Sequence, residues 1–193
     1  MKKTLVIFDC FGVICGEVAP YIFSKYISDP NEAKRLKEEY CRPADLGEIS
    51  SDELFCGMAE ILGISKSKVI EEWNSYLTLK QEVIPFIEAL SAKADLALLS
   101  NAVDGLVEEC IDRFDFGKYF DKIFISYKYG MAKPDTRYYK LCVDSFDKDY
   151  DEIYMIDDNS ANLEPLSELG IKGVLYTGVE SLMECQGLAE LLK

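Results

Sequence analysis

An α/β fold, a doubly wound and mostly parallel five-stranded sheet with a small helical module inserted early in the chain, is predicted by three features of the sequence. Short apolar runs without polar alternation occur at 5–8, 96–99, 123–125 and 153–156, with a weaker one at 173–176. Segments with helical spacing of apolar residues separate the later runs. The rhythm breaks once, where residues 9–95 lie between the first run and the second.

Consecutive apolar residues over so short a span are the mark of strands buried on both faces, as in a parallel sheet covered by helices. The long gap reads as mostly helical. Apolar residues recur at roughly helical spacing over 20–40. The stretch 51–62 starts on Ser51-Asp52-Glu53 and stops at Gly63, and 65–77 starts similarly, with Ile64 placed before it as a hydrophobic staple. A helix over about 81–93 then returns the chain to the sheet. Beyond the second run, Val103, Leu106, Val107, Cys110 and Ile111 form one stripe over 103–114. Pro134 is placed to open the next helix, to about Phe146, since its missing N–H costs nothing there. The helix over 160–169 ends at Gly170, a favourable residue just past a helix end, and 179–192 closes the chain. Strand–helix alternation of this kind implies a doubly wound domain with right-handed crossovers. The expected division is a discontinuous core, 1–15 and 81–193, and a helical unit, 16–80. The 193 residues suffice for one substantial core with such an insert.

Composition removes several function classes. A formal net charge of −14 with no basic patch argues against nucleic acid and anionic membrane surfaces as partners. No apolar run approaches the roughly 20 residues that span a bilayer. The opening MKKTLVIFD lacks the longer apolar region of an export signal, so its apolar residues read as a buried strand. Seven cysteines, an odd number without C-x-x-C spacing, read as reduced thiols of a cytoplasmic protein. Histidine is absent, which excludes Ser-His-Asp and Cys-His catalysis and every histidine metal site. A divalent metal would be held by oxygen, which favours a hard ion such as Mg²⁺.

In open α/β sheets ligands bind outside the carboxyl ends of the strands. Asp9 stands at the first of those ends, Ser100 and Asn101 at the second, Lys133 and Pro134 beyond the third, and Asp157 and Asp158 at the fourth. These are the parts of phosphoryl transfer through a covalent intermediate. Asp9 can attack phosphorus in line, and Mg²⁺ on Asp9 and Asp158 can neutralise the phosphate. Lys133 adds a fixed positive charge. The Ser100 hydroxyl and the Asn101 backbone N–H can hold a phosphate oxygen. Adjacent acids such as Asp157 and Asp158 repel each other, and a cation would relieve this. Cys10 and Cys15 flank the site and read as small apolar residues; Trp73 and Tyr76 read as core of the helical unit.

Four segments, DCFGVI at 9–14, LLSNA at 98–102, YGMAKPD at 129–135 and MIDDNSANL at 155–163, together resemble the haloacid dehalogenase superfamily over nearly the whole chain. The resemblance implies a helical C1-type cap, an aspartyl-phosphate on Asp9, and Mg²⁺ on Asp9, Asp158 and the backbone carbonyl of Phe11. Within the superfamily the chain resembles the α-glucose-1-phosphate phosphatases and the N-terminal phosphatase domain of soluble epoxide hydrolases, partly through Gly47-Glu48-Ile49-Ser50. The expected protein is thus a Mg²⁺-dependent phosphatase for a small phosphorylated metabolite such as a sugar phosphate, a monomer or homodimer. It departs from the pattern at Phe11, where most such phosphatases carry a second Asp as general acid and base. Three ways to meet the missing proton stay open: an acidic leaving group such as an anomeric hydroxyl, water, or an acid of the helical unit such as Glu17 or Asp45. Two alternatives follow from Phe11: a metal-independent 2-haloacid dehalogenase, against which Asp157 and Asp158 weigh, and a non-catalytic binding module.

Overall fold

The computed structural model describes residues 3–193, and its centre is a sheet of five parallel strands. The strands are β1 (Thr4–Phe8), β2 (Asp95–Ser100), β3 (Lys122–Ile125), β4 (Glu152–Asp157) and β5 (Lys172–Leu175). Their spatial order is β3-β2-β1-β4-β5, with β1 paired to β2 through Leu5↔Asp95 and to β4 through Leu5↔Ile153. The expected parallel five-stranded fold is therefore present. Successive side chains of β1 enter opposite apolar clusters, Val6 and Phe8 one, Leu5 and Ile7 the other. In β2 Leu96 and Leu98 divide from Ala97 and Leu99 in the same way. Both faces are covered, so the middle positions of these strands are apolar on both sides and the sequence shows no alternation there, with buried polar residues such as Asp95 and Ser100 confined to the strand ends.

Helices α1 (Ala19–Tyr26), α2 (Pro30–Asp45), α3 (Ser51–Leu62) and α4 (Lys66–Tyr76) lie between β1 and β2, followed by α5 (Ile84–Ser91). The stretch 20–40, read as one helical pattern, is two helices: the first ends at Tyr26, where Ile27 turns extended, and Asp29 caps the second by accepting from the Asn31 N–H at 2.9 Å. Pro30, with no N–H to lose, opens α2. The start of α3 is a capping box, in which the Ser50 hydroxyl accepts from the Glu53 N–H and the Glu53 carboxylate accepts from the Ser50 N–H. Ser50→Ala should cost about 1 kcal/mol, read as a lower midpoint in chemical denaturation with an unchanged slope. Gly63, at φ 66°, ends α3 as expected.

Beyond β2 come α6 (Leu106–Phe114), α7 (Thr136–Asp144), α8 (Ser160–Leu163), α9 (Val179–Glu184) and α10 (Gln186–Leu191). Three sequence expectations need correction here. Pro134 does not open α7; Asp135 caps it, accepting from the Arg137 N–H at 2.9 Å. The stretch 160–169 is one α turn followed by a 3₁₀ segment over Glu164–Leu169, because Pro165 lacks the N–H that a continuing α-helix needs. The last helix is two, separated by an extended Cys185, and nothing in the sequence explains that break. No helix among the described residues is long and apolar enough to cross a membrane. All seven cysteines are free thiols.

Candidate active site at the strand ends

After β1 the chain runs outward on one side through β2 to β3, and later on the other through β4 to β5. The carboxyl ends of β1 and β4 are thus neighbours at the point where the winding reverses, where an open sheet leaves a crevice. This geometry brings Asp9 to Asp157 and Asp158 across almost the whole sequence. Each of the three offers a carboxylate oxygen, and these oxygens lie within 4.8 Å of one another.

Lys133 reaches this cluster from the loop before α7. Its ammonium is fully buried, 2.9 Å from Asp9 Oδ1 and 2.6 Å from Asp157 Oδ2. Burial alone would lower its pKa, but the two facing carboxylates outweigh it and hold the lysine charged. Burial pushes the Asp9 carboxyl upward, with Lys133 pulling the other way. The Asn101 side chain brackets the Lys133 backbone, accepting from its N–H at 2.8 Å and donating to its carbonyl at 3.0 Å.

Asp157 and Asp158 divide their tasks. Asp157 accepts from Lys133, from the Asn159 N–H and from Asn162 Nδ2, so its oxygens are taken. Asp158 is ion-paired to no Lys or Arg among the described residues, and burial followed by the charge of Asp157 pushes its carboxyl upward. It lies over Gly12, whose φ of 82° and missing side chain leave the room; a Cβ there would overlap the Asp158 carboxylate. A cluster of hard oxygen donors around one unpaired carboxylate fits Mg²⁺.

The other expected residues fall in different places. Ser100 is fully buried and its hydroxyl has no hydrogen-bond partner among the described residues. Phe11 is half-buried and lines the cavity of about 540 Å³ above the strand ends, together with Asp9, Asn101, Lys133 and Asp158. Trp73 belongs to the apolar core, as expected, and also touches this cavity.

Sequence reading missed the part of the wall that α2 supplies. Lys37 and Arg42 line the cavity, and the Arg42 guanidinium donates to the Lys133 carbonyl at 3.0 Å. On a polar helix such residues look like a solvated face; only the i, i+4 spacing of Lys37, Cys41 and Asp45 hinted at a shared side. Glu17 and Asp45, named as acids of the helical unit, are both on the wall. Burial, then the charge of Asp158, pushes Glu17 upward. Burial pushes Asp45 up to about 7, against the pull of Lys37 and Arg42.

A family model described as haloacid dehalogenase-like hydrolase matches residues 3–170. A HAD family enzyme from Bacteroides thetaiotaomicron, solved in complex with magnesium and inorganic phosphate, superposes with a TM-score of 0.71 at 26% identity, covering 91% of this chain and 94% of that one. The drimenol cyclase drtB of Aspergillus calidoustus is 25% identical over 183 residues, which are 91% of this chain and 34% of that protein. The GMP/IMP nucleotidase YrfG of Escherichia coli (strain K12) is 24% identical over 115 residues, 59% of this chain and 52% of the nucleotidase. The chain thus spans about a third of the first curated relative and half of the other.

Proposed function

The chain belongs to the haloacid dehalogenase-like hydrolases, and from that premise we propose that it is a Mg²⁺-dependent phosphatase for a small phosphorylated metabolite. The observation that carries this reading is Asp158: a carboxylate beside Asp9, against a glycine that makes room for it, with no Lys or Arg ion-paired to it among the described residues. A structural acid at that position would have a partner. The magnesium and phosphate bound by the Bacteroides enzyme support the same chemistry.

In this reading Asp9, Asp158 and the Phe11 carbonyl would hold Mg²⁺, which would supply the positive charge that lets an anionic nucleophile approach a phosphate. Asp9 then attacks phosphorus from the strand end, and Lys133 keeps its side chain aimed and stabilises the charge that develops. Asn101 acts through Lys133 by fixing the backbone that carries it. Ser100, fully buried and with no hydrogen-bond partner for its hydroxyl among the described residues, is the donor that this reading assigns to a phosphate oxygen. Residues 16–80 serve as a cap over the core of 1–15 and 81–193, and Lys37, Arg42 and Trp73 of the cap face the organic part of the ester. A cavity of about 540 Å³ suits a sugar phosphate or a molecule of similar size.

A second reading, 2-haloacid dehalogenase, is favoured by the aromatic Phe11 on the cavity wall. One assay separates the two. Phosphate release from a panel of phosphate esters should require Mg²⁺ and stop with EDTA. Halide release from 2-haloacids that persists in EDTA, with no phosphate release, would overturn the phosphatase.

A further inference from the structure

We propose that Asp45, at the carboxyl end of α2, is the general acid and base of the reaction, in the role that Phe11 cannot fill. The proposal rests on the phosphatase reading and selects among the proton sources that the sequence leaves open.

In-line attack by Asp9 sends the leaving oxygen out on the side of phosphorus away from the strand end. An acid for that oxygen has to come from the wall that the helices supply. Three acids line it, Glu17, Glu38 and Asp45. Glu38 is exposed to solvent and its carboxylate is engaged by Lys37 at 3.0 Å. Glu17 lies within the influence of the Asp158 carboxylate, which this reading gives to the metal.

Asp45 differs from both in how it is held. Three residues before it, Arg42 donates to the Lys133 carbonyl at 3.0 Å. Two residues after it, Gly47, at φ 71°, packs so close to the Tyr127 backbone that a Cβ would overlap the carbonyl. The end of α2 is therefore anchored on both sides of Asp45 to the loop that presents Lys133. The charged and titratable groups facing Asp45 are Lys37, Glu38, Cys41 and Arg42 of α2, Lys133 of the loop and Tyr138 of α7. Burial outweighs the cations among them and brings the carboxyl to about 7, where it can both give and take a proton.

The balance is complete without a further reactant. An Asp9 oxygen forms a bond to phosphorus, the phosphorus–oxygen bond to the leaving group breaks, and its electron pair takes the Asp45 proton. Water then attacks the phosphorus of the aspartyl-phosphate, Asp45 takes the proton back, and Asp9 leaves as a carboxylate with release of phosphate.

The test compares wild type, Asp45→Asn and Asp45→Glu, each with Mg²⁺, on p-nitrophenyl phosphate and glycerol phosphate. The aryl leaving group needs no proton and the alkyl one does. Asp45→Asn should lose about 10²–10⁴-fold in kcat on glycerol phosphate, with KM nearly unchanged. On p-nitrophenyl phosphate it should give a stoichiometric burst of p-nitrophenol and then a slow phase, because only the second step needs the base. Asp45→Glu should retain part of the alkyl activity and displace the limb of the pH profile near neutrality. Equal losses on both esters without a burst, no loss on either, or a pH profile unmoved in Asp45→Glu overturns the role of Asp45 while the phosphatase stands. A wild type that releases phosphate from neither ester overturns both.

Discussion

Asp9→Asn should lower phosphate release by on the order of 10⁴-fold or more, the scale seen when a covalent nucleophile is removed, while the melting temperature moves little. The carboxamide has nearly the volume of the carboxylate, and its oxygen can still accept from the Cys10 N–H, now at 2.7 Å from Oδ1. Lys133 keeps its shorter contact, 2.6 Å, to Asp157. The framework therefore retains a balanced buried cation, and what disappears is the attacking charge and one oxygen for Mg²⁺. Phosphate release across the ester panel, with thermal melts of both proteins, measures the two effects separately. Labelling of wild type but not of Asp9→Asn with a phosphoryl group from ³²P-ester would identify the position of the intermediate. Full turnover in Asp9→Asn would remove covalent catalysis at this residue.

How much of this the sequence disclosed depends on which interactions are local. The parallel sheet was legible because residues 5–8 and 96–99 have apolar neighbours on both faces, a demand that every position in those strands repeats. The crevice residues were legible because polar residues such as Asp9 and Lys133 at strand ends interrupt that demand. The strand order was not legible; hydrogen bonding between β1 and β4 depends on the path of the whole chain, yet it is what places Asp158 beside Asp9. Asn101 shows the same limit: its place at a strand end suggested a phosphate contact for its backbone N–H, but gave no sign that its side chain holds the Lys133 backbone. The face that α2 turns to the cavity was hidden for another reason. Lys37 and Arg42 have the composition of a solvated helix, and only tertiary packing decides which side meets the strand ends. The break at Asp29 was available in principle, since an Asp followed by Pro is a strong helix start.

Lys133→Met should be the most destabilising single change at the site, by about 3–5 kcal/mol, or on the order of 10 °C in melting temperature for a domain of this size. The methionine fills most of the lysine's volume, so little of the effect comes from a cavity. What remains is two buried carboxylates, Asp9 and Asp157, with their common cation gone. The pH dependence distinguishes this cause from poor packing. Burial already pushes Asp9 above the usual carboxyl range, and loss of Lys133, which pulls it down, pushes it further. An acid raised in the folded state supports folding below its unfolded value and withdraws that support as pH rises through its folded value. The deficit of Lys133→Met against wild type should therefore be smallest near pH 4, about the unfolded carboxyl value, and widen toward neutrality. Mg²⁺ at neutral pH should recover part of it by supplying a cation to the same oxygens, although phosphate release would stay low because the charge beside the attacking carboxylate is not rebuilt. Thermal melts of both proteins across that range, with and without Mg²⁺, read all of this in one series. A deficit equal at every pH and indifferent to Mg²⁺ would mean that Lys133 holds the fold by packing alone, and the electrostatic account of the site would fall.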